Sequence, residues 1–128
     1  MRISVVLDCL DPVGLVEFWS VAMGYRHAAS VPGFEVLEPA DGEPAGPVLI
    51  LQRVAETKGV KNRMHVDIHP PLELGVPALV SRLEALGGQR VGDPVVELLE
   101  EIGVWWQLMV DPEGNEFDVT ADPGHPAP

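Results

Sequence analysis

The sequence predicts an α+β fold in which one unit is written twice: a strand, a helix, then a run of strands. Three observations carry this. Apolar and polar residues alternate at the start of each half, at 3–9 and at 64–69, with the period of a half-buried strand. Each alternating stretch is followed by apolar residues at helical spacing. Each half then holds a strongly apolar strand, VLILQRV at 48–54 and VWWQLMV at 104–110.

In the first half, Ile3, Val5, Leu7 and Cys9 share one face of the opening strand, with Ser4, Val6 and Asp8 on the other. Asp11 suits an N-cap and Pro12 the first helical position. The helix carries Leu15, Val16, Phe18, Trp19, Ala22 and Met23, and Gly24 is placed to end it. Short strands follow at 25–29 and 33–38. Asp41-Gly42 makes a turn, lengthened by Pro44, Gly46 and Pro47, before the strand 48–54. Residues 55–63 form a polar linker with Lys58, Lys61 and Arg63.

The pattern restarts with the strand 64–69, broken by Pro70-Pro71. A helix over 74–86 presents Val76, Leu79, Val80, Leu83 and Leu86 to the core, and Gly87-Gly88 stops it. Short strands are expected at 89–91 and 95–99, then the apolar strand 104–110. The turn 111–115 (DPEGN) has the residue types turns require, and the last strand spans 116–120. The expected organisation is one domain over 1–121, with module one at 2–54, the linker at 55–63 and module two at 64–120. The tail 122–128, with three prolines, is expected to be flexible. Two such sheets packed side by side would leave a concavity, a common place for a ligand site.

At 128 residues the chain fits one domain with a proper core. The net charge of −12 repels a phosphate backbone and argues against nucleic acid as a partner. The single cysteine, Cys9, excludes an intrachain disulfide and a cysteine-rich zinc site, and points to a reducing cytoplasm. The first apolar run is too short for a signal peptide, and no later run would span a bilayer, so no membrane partner is expected.

The stretch 61–69 (KNRMHVDIH) is the candidate site. His65, Asp67 and His69 share one face of the strand, an uncommon set for a surface strand. The imidazoles are possible metal ligands, and Asp67 could orient one ring; a hydrogen-bonded lining without an ion is the alternative. Glu116, Asp118 and Thr120 share a face of the last strand. Paired carboxylates there would raise one another's pKa and allow one to act as a general base. Trp105 and Trp106 point to opposite faces. Trp105, with Gln107 beside it, is assigned to the ligand face and Trp106 to the core. Cys9, on the apolar face of the first strand, reads as a buried, inert thiol.

The stretches 7–26, 49–69, 82–88 and above all 106–119 (WQLMVDPEGNEFDV) resemble the vicinal oxygen chelate superfamily, the group of glyoxalase I, extradiol dioxygenases, fosfomycin-modifying enzymes and bleomycin-binding proteins. The resemblance is to its small glyoxalase-like domain proteins. It implies two tandem βαβββ modules forming a curved mixed sheet around a cleft, commonly as a homodimer. It also implies metal ligands at equivalent positions of the two modules: His65, Asp118 in place of the more usual Glu, and Gln52. Ser4 stands where a His or Glu is expected and is a poor transition-metal ligand; Asp8 faces the same way. Two functions follow. One is a small-molecule-binding protein without the full metal set, with Ser4, Asp8, Gln52, Asp67, His69, Trp105 and Gln107 as ligand contacts. The other is a metal-dependent lyase, isomerase or dioxygenase using Zn, Ni, Mn or Fe, with Asp118 and Glu116 moving protons on a vicinal-oxygen substrate.

Overall fold

β1 (Ser4–Cys9) follows its alternation: Cys9 is buried while Ser4, Val6 and Asp8 are exposed. The computed structural model describes residues 1–128, in two compact units, Met1–Gly59 and Val60–Pro128. In the first unit β1 leads into α1 (Pro12–Met23), β2 (Tyr25–Val31), β3 (Phe34–Pro39) and β4 (Val48–Arg53). The Asp11 carboxylate accepts the Gly14 N–H at 3.1 Å, and Gly24 closes the helix at φ 66°, donating its N–H to the Ser20 carbonyl. Leu15, Phe18, Trp19 and Ala22 are buried against the sheet. Burying a side chain such as Phe18 is worth about 1.5–3 kcal/mol.

The strand order is β1-β4-β3-β2, with β1 and β4 parallel and the other pairs antiparallel. Leu37, Leu49 and Leu51 are buried on the side that α1 covers. Ser4, Val6 and Asp8 align with Val48, Ile50 and Gln52 on the opposite side, and Phe34 pairs with Gln52.

The second unit contains β5 (Asp67–Ile68), α2 (Val76–Ala85), β6 (Gln89–Arg90), α3 (Leu99–Ile102), β7 (Trp105–Val110) and β8 (Glu116–Ala121). Its order, β5-β8-β7-β6, repeats that of the first unit, again with one parallel pair, β5 with β8. The duplication read from the sequence is therefore present strand for strand. Val76, Leu79, Val80 and Leu83 of α2 are buried, and α2 packs on β8 and β6. No helix is long and apolar enough to cross a membrane.

Three expectations need correction. The strand expected over 64–69 pairs only at Asp67 and Ile68, extended by an Asp118 N–H donated to the Val66 carbonyl at 3.0 Å. The strand expected over 95–99 is a single bridge, Val95 with Trp106, followed by the short helix α3. The parity of the two tryptophans is the reverse of that expected. Directly opposed residues of an antiparallel pair project to the same face. Gln107 pairs with Val119, and Met109 with Phe117, both fully buried, which fixes Trp105, Gln107 and Met109 on the helix-covered side. Trp106 pairs with Thr120, and Leu108 with Asp118.

The tail expected to be flexible is tied down at one point. The Trp105 Nε1–H donates to the Pro126 carbonyl at 2.9 Å, and the His125 N–H donates to the Asp122 carbonyl. The turn 111–115 is organised by one buried carboxylate. Asp111 Oδ1 accepts the N–H groups of Glu113 and Asn115, both at 2.9 Å, and both Asp111 oxygens accept from the Asn115 amide. The stretch most specific to the resemblance thus acts by shaping the entry to β8.

Candidate metal and ligand site

β5 and β8 run side by side, and their register sets Asp67 directly opposite Asp118. His65, two residues before Asp67, reaches the same place. Its Nε2 lies 3.4 Å from Asp67 Oδ1 and 3.4 Å from Asp118 Oδ2. One ligand atom from each of the three residues lies within 4.8 Å of the others. Ligand atoms at about 2.1 Å from a divalent ion stand roughly 3.0–3.4 Å from one another, so two of the spacings are those of a shared coordination shell.

Asp118 is 8% exposed, and its Oδ1 is buried without a hydrogen-bond partner. A buried carboxylate oxygen left unmatched costs free energy that a cation or a donor would recover. Burial pushes the Asp118 carboxyl above its ordinary value of 3.8. His65 pulls it back, Asp67 opposite pushes it up again, and Lys61 pulls it down. The donor set, one imidazole and two carboxylates with one ligand atom of each close together, fits a divalent metal.

The rest of this face is half apolar. Leu108 and Trp106, both half-buried, flank Asp118 and Thr120 from β7. Glu116 is half-buried, and its Oε2 accepts the Asn62 N–H at 2.9 Å, which pins the chain just before His65. His69 stands apart from the cluster: its Nδ1 is 2.9 Å from Asp122 Oδ1.

Trp105 and Gln107 do not join Asp118. Both are buried on the other face of the sheet, where they line a separate cavity of about 200 Å³ with Val76, Pro77, Val80 and Arg90. The Gln107 amide donates to the Gly92 and Leu108 carbonyls there. In the first unit, Ser4, Asp8 and Gln52 share the face away from α1, next to the exposed side chains of Val6 and Phe34.

Sequence reasoning missed Trp106 as a residue of the Asp118 face, and it missed the Asp122 partner of His69. The first had a usable signal: Asp118 and Thr120 are polar on the last strand, so their cross-strand partners had to share that face.

Two sheets with the same 1-4-3-2 order, and an imidazole–carboxylate cluster where the outer and inner parallel strands of one copy meet, define a member of the vicinal oxygen chelate superfamily. The chain matches the glyoxalase-like domain family over residues 4–120 and belongs to it. Solved structures share the fold at low identity. A glyoxalase/bleomycin resistance protein/dioxygenase family enzyme from Burkholderia phytofirmans PsJN is 18% identical, with a TM-score of 0.73, over 92% of this chain and 95% of that one. The fosfomycin resistance protein FosX from Listeria monocytogenes is 15% identical, with a TM-score of 0.71, over 94% and 92%. A mutant of the latter complexed with Mn(II) and 1S,2S-dihydroxypropylphosphonic acid is 14% identical, with a TM-score of 0.68, over 91% and 85%. No curated protein sequence matches the chain.

Proposed function

We propose that this protein is a metal-dependent member of its superfamily that acts on a small substrate bearing vicinal oxygens, as a lyase, isomerase or dioxygenase. The observation that carries this reading is the approach of His65 Nε2 to within 3.4 Å of Oδ2 of the buried Asp118, whose other oxygen, Oδ1, has no hydrogen-bond partner. His65 and Asp118 hold the ion, one of Zn, Ni, Mn or Fe. When bound, such an ion supplies Lewis-acid polarisation of substrate oxygens. The FosX structure with Mn(II) and a vicinal diol adds support by analogy of fold.

The chain's own groups supply the rest. Glu116 lies on the Asp118 face with one oxygen held by the Asn62 N–H, so its carboxylate is oriented to take a proton from a bound ligand. Trp106 and Leu108 offer that ligand an apolar floor and exclude water from one side. Ser4, Asp8 and Gln52 are the polar groups the first unit offers a ligand. The superfamily habit supports a homodimer, and the single buried cysteine supports residence in the cytoplasm.

A second reading, binding of a small molecule without a metal, is supported by exposed Ser4 at the position where the superfamily has His or Glu. Val6 and Phe34, exposed on the same face, give such a ligand apolar surface. Metal analysis of the purified protein, repeated after loading with Zn, Ni, Mn and Fe in turn, separates the two. Stoichiometric metal that disappears in His65→Ala is expected. No metal under any loading removes the enzyme reading and leaves the binding one.

A further inference from the structure

We propose that Asp67 is the third protein ligand of the ion, so that the second unit supplies the protein half of the metal centre by itself. The inference rests on the reading above that an ion binds at His65 and Asp118. It assigns a role to a residue that the superfamily pattern does not use for this purpose.

Position comes first. Asp67 and Asp118 are opposed across the parallel pair, and His65 precedes Asp67 by two residues on the same side. All three side chains come from β8 and from β5 with the residues just before it, two neighbouring strands of one sheet.

The identity of the contacting nitrogen matters most. A carboxylate that only orients a metal-bound imidazole takes the ring nitrogen remote from the metal. Asp67 Oδ1 instead lies 3.4 Å from Nε2, the same nitrogen that Asp118 Oδ2 approaches at 3.4 Å. Two carboxylates converging on one nitrogen, with neither engaging Nδ1, leave a point between all three groups where a cation satisfies each of them. An orienting role for Asp67 therefore does not match the geometry.

Charge points the same way. Two carboxylates and a neutral imidazole balance a divalent ion. Without an ion, the two acids oppose each other, and Asp118 Oδ1 is buried with no partner. Ser4 in the first unit offers only an alcohol, whereas Asp67 supplies a second hard anionic oxygen beside that of Asp118. The resulting one-nitrogen, two-oxygen donor set suits Mn(II) or Fe(II) better than copper.

The test uses the full chain, stripped with EDTA and titrated with Mn(II) alone, with free Mn(II) followed by electron paramagnetic resonance and heat by calorimetry. Wild type should take up one Mn(II) per chain. Loss of a supporting group one step removed from a metal costs roughly 10–100-fold in affinity, so losing a ligand should cost about 100-fold or more. Asp67→Asn should show that loss with an unchanged far-ultraviolet circular dichroism spectrum, and Asp67→Glu should recover part of it. Ser4→Ala and Gln52→Ala should bind within about twofold of wild type.

Mn(II) binding by Asp67→Asn equal to wild type overturns the inference and leaves the metal reading standing. A loss in Ser4→Ala or Gln52→Ala as large as in Asp67→Asn overturns the single-unit centre. Failure of wild type to bind Mn(II), Zn, Ni or Fe at all overturns both readings. Should Asp67→Asn misfold, a folded Asp67→Ala decides: a loss of about 100-fold in Mn(II) affinity supports the ligand role, and wild-type-like affinity overturns it.

Discussion

Asp67 and Asp118 face each other across the β5–β8 ladder, the first with its side chain 49% exposed and the second with only 12%. Two like charges are thus paired at the boundary between water and core. Burial makes the Asp118 charge costly, His65 offsets part of that cost, and Asp67 adds to it.

The pH dependence of the metal-free protein follows from this pairing. Burial raises the folded-state pKa of Asp118 above the unfolded value of about 3.8. Between those two values the native state binds more protons than the unfolded chain, so the Asp118 contribution to stability is present at low pH and lost as pH rises through the folded pKa. Asp118→Asn removes the titration and the orphaned anion. In EDTA-stripped protein the variant should melt higher than wild type at pH 7, by about 1 kcal/mol, and the gap should close towards pH 4. Added Mn(II) should reverse the order, because only wild type gains from binding. Thermal melts at pH 4, 5, 6 and 7 measure this; a wild type more stable than the variant at pH 7 without metal would contradict it.

Much of the fold was legible because local residues decide it. Asp11, Pro12 and Gly24 fix both ends of α1 without help from distant contacts, and the cap and the left-handed glycine are where the sequence put them. The duplication was legible because both copies keep the order of strand and helix. The failures share one cause. In VWWQLMV nearly every position is apolar, so neither face is marked, and parity is set only by pairing with β8, where Phe117 and Val119 are core. The stretch 64–69 alternates along its length, yet a strand extends only as far as its partner offers ladder groups, and β8 pairs with two of those residues. His65 and Asp118 were legible as a pair, and Asp67 was read beside His65. Its approach to Nε2 rather than Nδ1 depends on ring orientation, which no sequence pattern encodes.

The turn before β8 makes a stability prediction. Asp111 is buried and accepts from two backbone N–H groups and the Asn115 amide. Asp111→Ala leaves these donors unmatched and should cost about 2–3 kcal/mol. Asp111→Asn keeps the shape and half of the acceptors, and should cost less. Urea unfolding midpoints measure both. Because this turn delivers β8 to its register, Asp111→Ala should also weaken Mn(II) binding without touching a ligand. Unchanged stability in Asp111→Ala would mean that the turn holds without its carboxylate.

The two adjacent tryptophans should respond oppositely to substitution. Trp105 is 3% exposed, packs on the helix-covered side, and donates its indole N–H to Pro126. Removing that side chain empties a core position and frees the tail, so Trp105→Ala should cost about 3–5 kcal/mol. Trp106 is half-buried on the Asp118 face, opposite Thr120. Trp106→Ala should cost much less, about 1 kcal/mol by partial burial, and its main effect should be on a ligand held over Asp118. Trp105→Phe gives a version that folds in either case: it keeps most of the packing, loses the bond to the Pro126 carbonyl, and should expose the tail to carboxypeptidase faster than in wild type. Equal stability losses in Trp105→Ala and Trp106→Ala, measured by urea unfolding, would place both rings in the core. The strand register that puts Trp106 on the Asp118 face would then be wrong.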